Sequence, residues 1–277
     1  MQVEAADVTE LMSGIQMGES VRWHEGRVWF CDWIGQTLYA LDGSGHPETI
    51  ARVDSLPFCI DWLTDGRLLI VNAKDNTLMR READGTFATH ADLSPLSPYG
   101  CNEIAVAPSG DIYLNNINFD FPGGEFRPGF IALLRPDGSM LKVEEDLAFP
   151  NGMVVTRDGR TLIVAESYNA NVTAFDIAPD GTLTNKRLFA RIDGQGGDGI
   201  CLDSEGAVWV SSGPRCVRVA EGGKVLDEVL TDRMCFSCAL GGQDGRTLYI
   251  AANKWPEAIE GSEPTGKIYA ARVRVPA

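Results

Sequence analysis

A short unit, a tight glycine turn followed by an apolar strand, recurs six times along this 277-residue chain. It reads His24-Glu25-Gly26-Arg27 before VWF, Thr64-Asp65-Gly66-Arg67 before LLIV, and Pro108-Ser109-Gly110-Asp111 before IYL. It returns as Arg157-Asp158-Gly159-Arg160 before TLIVA, Asp203-Ser204-Glu205-Gly206 before AVWVS, and Gln243-Asp244-Gly245-Arg246 before TLYIA. The anchoring glycines, 26, 66, 110, 159, 206 and 245, stand 40, 44, 49, 47 and 39 residues apart. Short strands repeating at roughly 40–50 residues are the pattern of propeller blades.

Within a unit, a second turn starts the last strand: Asp42-Gly43, Asp84-Gly85, Asp137-Gly138, Asp180-Gly181 and Gly222-Gly223. Such dipeptides suit hairpins because tight hairpin turns need positive φ. The alternation and the Val, Ile, Leu, Tyr and Trp content fit strands, and no segment reads as a helix. The chain is therefore expected to be all-β, a six-bladed propeller of four antiparallel strands per blade, as one domain over 1–277. Residues 8–14 are expected to pair with the last blade near 267–273, which closes the ring and removes an open edge.

The first strand of each blade lines the central channel, and the residue that begins it sits at one mouth. Seven or eight residues before each anchoring glycine stand Glu19, Phe58-Cys59, Asn102, Asn151, Asp198 and Ser237. The loops that follow each second strand emerge at the same mouth: 33–36, 72–76, 115–129, 167–170, 212–215 and 253–266. The two longest, in blades three and six, are the expected pocket walls or lid.

Glu, Asn, Asn and Asp at four equivalent positions make a ring of hard oxygen donors, suited to one divalent ion. Calcium is the first expectation, with magnesium, manganese or zinc able to replace it. Glu19 and Asp198 supply two negative charges, matching a dication. Without one, two carboxylates would face each other in a confined channel and one would protonate. An ion held there polarises a carbonyl and acidifies a bound water, which fits hydrolysis of an activated ester. His24, His46 and His90 fall at turns or in outer segments, outside the ring. No Ser nucleophile elbow, P-loop or dinucleotide fingerprint is present.

The net charge of −15 disfavours nucleic acid and anionic membrane surfaces as partners. No run reaches the roughly 18 apolar residues of a membrane span. The opening MQVEAADVTELMSG lacks the apolar core of a signal peptide, so a cytoplasmic location is expected. Seven scattered cysteines make no disulfide framework, and Cys235-Phe236-Ser237-Cys238 lacks the second pair of a zinc site; core packing is the expectation.

The motifs Gly18-Glu19-Ser20-Val21-Arg22-Trp23, Cys101-Asn102-Glu103, Phe149-Pro150-Asn151-Gly152-Met153 and Asp198-Gly199-Ile200-Cys201-Leu202-Asp203 occur in that order. With their spacing, the chain from about residue 15 onward resembles the SMP-30/gluconolactonase/luciferin-regenerating-enzyme family of six-bladed propellers. The resemblance implies that Glu19, Asn151 and Asp198 hold the ion, that Asn102 completes the shell or touches substrate, and that Asp198 doubles as general base. It implies metal-dependent hydrolysis of a small-molecule lactone, often an aldonolactone.

This chain departs from the family pattern at three places. Gly18-Glu19-Ser20-Val21 replaces Gly-Glu-Gly-Pro, and Asn102-Glu103 replaces Asn-Asp. Gly100 stands where sugar-acting members carry an Arg. The expected pocket edge instead offers Trp33, Phe58, Cys59, Phe119 and Phe121, with Asn102 and Glu103 as polar substrate contacts. A less polar or aromatic lactone is the expectation. Two alternatives remain open: another reaction at the same site (phosphotriester hydrolysis, isomerisation or a lyase step), or a non-catalytic ligand-binding propeller with a structural ion.

Overall fold

The structure, a computed structural model, describes residues 8–42, 45–255 and 263–277. Each repeat folds into a four-stranded antiparallel sheet, and there are six such sheets. The inner strands are Gly18–His24, Phe58–Trp62, Glu103–Val106, Pro150–Val155, Ile200–Leu202 and Met234–Gly241, and each packs beside the next around a closed ring. In five sheets the strands lie in chain order. The sixth takes its outermost strand from the other end of the chain: Val8–Ile15 pairs with Gly266–Arg272, matching Val8 to Ala271 and Ile15 to Gly266. The ring is thus closed by hydrogen bonds between its first and last strands, as the sequence led one to expect. Among the described residues there is no helix, and hence none long and apolar enough to cross a membrane.

The core is divided by the blades. Six apolar clusters each fill the gap between two neighbouring sheets. Between blades one and two, for example, Trp29, Cys31 and Leu38 pack on Phe58, Ile60 and Ile70. Each fully buried side chain of this size contributes about 1.5–3 kcal/mol. Every blade therefore depends on two neighbours, and ring closure completes the last interface.

At the channel mouth the ladders are irregular where the polar residues stand. The register shifts between Glu19 and Arg22, between Pro150 and Met153, and between Cys235 and Ser237. In blade five, Ser211 faces two residues at once: its O accepts from Asp198 N and its N donates to Gly199 O. Bulges of this kind re-aim a side chain out of the sheet face. Blade two has no such break, pairing Phe58 to Asn72 through Trp62 to Leu68 in step.

The bulges also bring inner strands into backbone contact. A Cβ at Gly152 would stand 2.6 Å from Asp198 O and from Ile200 N, so only glycine lets blade four approach blade five this closely.

Candidate functional site

Four of the ring residues converge on one mouth of the channel. Glu19 is only 6% exposed, and the Ser20 N–H donates to its Oε2 at 3.1 Å. Ser20 itself adopts φ 48°, and its hydroxyl accepts from Ile60 N, tying blade one to blade two. Asn102 N donates to Asn115 O, while its side-chain Nδ2 lies 3.5 Å from Pro150 O. Asn151 is fixed at both ends: Asn115 Nδ2 donates to its carbonyl (2.6 Å), and its own Nδ2 donates to Ser167 Oγ (3.3 Å). Ser237, the sixth ring position, is used structurally, since its hydroxyl accepts from Val21 N at 2.9 Å.

Asp198 differs from the rest. Its Oδ1 is buried and has no hydrogen-bond partner. Burial, then the Glu103 carboxylate, push its pKa up to about 8, and hydrogen bonding from the Asn151 side chain only partly opposes that rise. Burial and the neighbouring Asp198 likewise hold Glu19 well above the usual carboxylate range. Two carboxylates in a shared, desolvated site disfavour each other's ionisation until a cation joins them.

Beneath this layer the channel is plugged by charge. Arg22 Nη2 donates to Glu103 Oε1 at 2.8 Å, and Ile104 N donates to the same oxygen at 2.9 Å. Asp61 closes the plug from blade two, accepting from Val106 N at 2.7 Å.

Above the layer opens a cavity of about 440 Å3 with Glu19, Asn102 and Asp198 at its polar end. Its walls come from the loops. Trp33, Ile34 and Trp255 pack with Phe236 in one part of the wall, Phe119, Phe121 and Phe149 pack together in another, and Leu56 adds a further apolar side chain. The 115–129 loop, expected as wall or lid, lines the cavity through Ile117, Phe119, Asp120, Phe121 and Pro122. The other long loop, 253–266, contributes Trp255, while its residues 256–262 lie outside the described residues.

Two expected substrate contacts are corrected. Phe58 is fully buried between blades one and two, and only its carbonyl turns toward the site, accepting from Trp33 Nε1 at 2.6 Å. Without a bulge in blade two, strand alternation sends the Phe58 ring, and Cys59 after it, into the core. Glu103 does not line the cavity; its carboxylate points down to Arg22. Trp33, Phe119 and Asn102 do line it, whereas Asn151 does not, and its side chain hydrogen-bonds to Asp198. The repeat phase overlooked Phe149, Phe236 and Leu56, each within a few residues of a ring position, and Asn115, whose Oδ1 is also buried without a partner. Cys235 and Cys238 are buried, and their side chains help fill the gap between blades five and six.

Among the described residues no group of three or more His, Cys, Asp or Glu side chains is placed to hold a metal. A cation at the mouth would need the amide oxygens of Asn102 and Asn151 beside the two carboxylates. The unpartnered Asp198 Oδ1 and the two mutually repelling acids fit such a guest.

The pattern that defines the SMP-30/Gluconolactonase/LRE-like region matches residues 17–254. The chain belongs to that family. Its relatives include regucalcin of Xenopus laevis, 26% identical over 249 residues, which cover 86% of this chain and 83% of that protein. A pentonolactonase of Haloferax volcanii is 28% identical over 273 residues, covering 94% and 90% of the two chains. Among solved structures, a luciferin-regenerating enzyme superposes with a TM-score of 0.83 at 19% identity, over 99% of this chain and 97% of its own. That likeness establishes the six-bladed architecture shared by this SMP-30/gluconolactonase/LRE-like chain.

Proposed function

We propose that this protein is a divalent-cation-dependent lactonase that opens a cyclic ester to its hydroxy acid. The observation that carries the reading is the buried, unpartnered Asp198 Oδ1, beside a second buried carboxylate, at the polar end of an otherwise apolar cavity. Buried polar atoms nearly always have partners, so this oxygen, which alone among the unpartnered ones of the described residues belongs to a residue lining the cavity, is open to something the protein binds. Membership of the family, and a pentonolactonase among the relatives, support the reaction class.

Glu19, Asn102, Asn151 and Asp198 would hold the ion. The all-oxygen donor set suits calcium, and two carboxylates balance its charge. When bound, such an ion polarises the ester carbonyl and acidifies a water.

The chain's own residues do the rest. Asp198 takes the proton of the attacking water on its carboxylate. The resulting hydroxyl bonds to the carbonyl carbon, and the Asn102 amide donates to the oxygen that gains charge. Collapse breaks the ring C–O bond, and the proton held on Asp198 passes to the departing alkoxide. The apolar walls keep bulk water away, which strengthens each of these polar contacts.

The reading is tested by hydrolysis assays of single variants in the presence of calcium. Asp198→Ala and Glu19→Ala are each expected to lose several orders of magnitude in rate, while Cys235→Ala keeps most of it. Full activity in Asp198→Ala would overturn the assignment.

A further inference from the structure

The cavity is polar only at one end. Beyond Glu19, Asn102 and Asp198, the hydrogen-bonding side chains at its edge among the described residues are Tyr99, the exposed Asp120 and the indoles of Trp33 and Trp255. Trp33 adds no free donor, because its Nε1–H is already spent on Phe58 O. No polar side chain has room at Gly100, where a Cβ would stand 2.5 Å from the Ala73 Cα. Every other wall side chain named above is apolar or aromatic.

The aromatic wall is a built feature. Phe149 lies tilted against Tyr168 with ring centroids 4.8 Å apart, and edge-on to Phe121 at 5.2 Å and to Phe119 at 5.8 Å. Phe149 holds φ 62°, a backbone region that is an outlier for a bulky residue. Such outliers persist where the surroundings enforce them, and they cluster at ligand sites. Of the lining side chains, Leu56 is 54% exposed and Phe121 is 42% exposed. Apolar surface thus runs from the polar floor out to the rim.

A polyhydroxylated lactone would find few partners here. Each buried hydroxyl left unpaired opposes binding. A lactone with an aryl or alkyl substituent would place its ester at the floor and its substituent along the walls, in a cavity within the usual range of roughly 300–1,000 Å3 for small-molecule sites. We propose that the substrate is a lactone bearing an aromatic or medium-length alkyl substituent, bound ester-first, and that the Phe119–Phe121–Phe149 wall and Leu56 set this specificity. The inference rests on the lactonase reading for its ester, but on the cavity alone for its apolar substituent.

The test has two arms, both with the calcium-supplied protein. In the first, kcat/KM is measured for unsubstituted γ-butyrolactone, for γ-lactones with a phenyl group or a lengthening alkyl chain, and for glucono-δ-lactone. The expected result is a rise of up to about fourfold per added methylene until the cavity is filled. The phenyl lactone should exceed glucono-δ-lactone by at least about 100-fold, the effect of two or more buried groups gained and several hydroxyls left unpaired. The exposed rim positions allow variants that fold: Leu56→Asn with Phe121→Asn should flatten the chain-length slope. A higher value for glucono-δ-lactone, or a flat slope in the unaltered protein, would overturn the inference while leaving the lactonase reading in place.

In the second arm, calorimetry compares binding of a phenyl-substituted γ-lactam with that of a polyhydroxylated lactam. At least about tenfold tighter binding of the phenyl compound supports the apolar substituent even if no lactone is hydrolysed, in which case only the lactonase reading falls. Equal or weaker binding of the phenyl compound would overturn the inference whatever the first arm shows.

Discussion

Arg22 Nη2 lies 2.8 Å from Glu103 Oε1 beneath the two site carboxylates, so a cation from blade one neutralises an acid from blade three at the channel axis. Glu103 is in turn a source of the upward push on Asp198, and Arg22 opposes the same push on Glu19. The pair therefore sets the charge that the mouth of the channel feels. Their side chains are 19% and 7% exposed, so little water screens them.

Removing one partner of a buried pair strands the other. Arg22→Met is expected to destabilise the protein by about 3–5 kcal/mol, and a combined Arg22→Met, Glu103→Met change should cost less than the single one. Urea unfolding of the three proteins checks this. A single variant as stable as the original would mean that the plug carries no stability.

The pH dependence of stability has a sign that depends on the ion. In cation-free protein the Asp198 carboxyl is raised from 3.8 to about 8, so the folded state holds a proton that the unfolded state releases between those values. The contribution of this group to stability is then full below about pH 4 and is lost as pH rises toward about 8. A divalent ion favours the ionised acids, so the melting-temperature gain on adding calcium should grow with pH over the same window. Thermal melts near about pH 5 and about pH 8, with chelator or calcium, provide the comparison, and Asp198→Asn should flatten the chelator slope. A chelated protein that gains stability across this window through Asp198 would contradict the assignment.

Gly152 offers a backbone test. A methyl group there would meet Asp198 O and Ile200 N, forcing blade four away from blade five. Gly152→Ala is expected to cost about 1–3 kcal/mol and to weaken calcium binding, because Asn151 moves away from Asp198. Calorimetric calcium titration reads the second effect; unchanged affinity in a folded variant would show that the ion does not bridge these blades.

Much of the fold was legible because a propeller repeats. The turn glycines marked six blades, and the need to cover the open edge of the last blade pointed to the segment before the first repeat, where Val8 stands opposite Ala271. The ring positions followed from phase, and Glu19, Asn102, Asn151 and Asp198 do stand at one mouth. Phase failed where backbone detail decides direction. Phe58 occupies a ring position but sits in a strand without a bulge, so alternation turns it into the core. Glu103 follows a ring residue by one place, which sends it down the channel toward Arg22. The cavity walls were only partly legible, since loops such as those carrying Leu56 and Phe149 obey no repeat.

The central claim is that the four oxygen-bearing side chains hold an ion on which ester opening depends. The most direct measurement is lactone hydrolysis followed by pH indicator, on protein stripped with chelator and then supplied with calcium, magnesium, manganese or zinc. Activity that vanishes with the ion and returns with at least one of them is the predicted result. Undiminished hydrolysis by protein shown to be free of metal would contradict it.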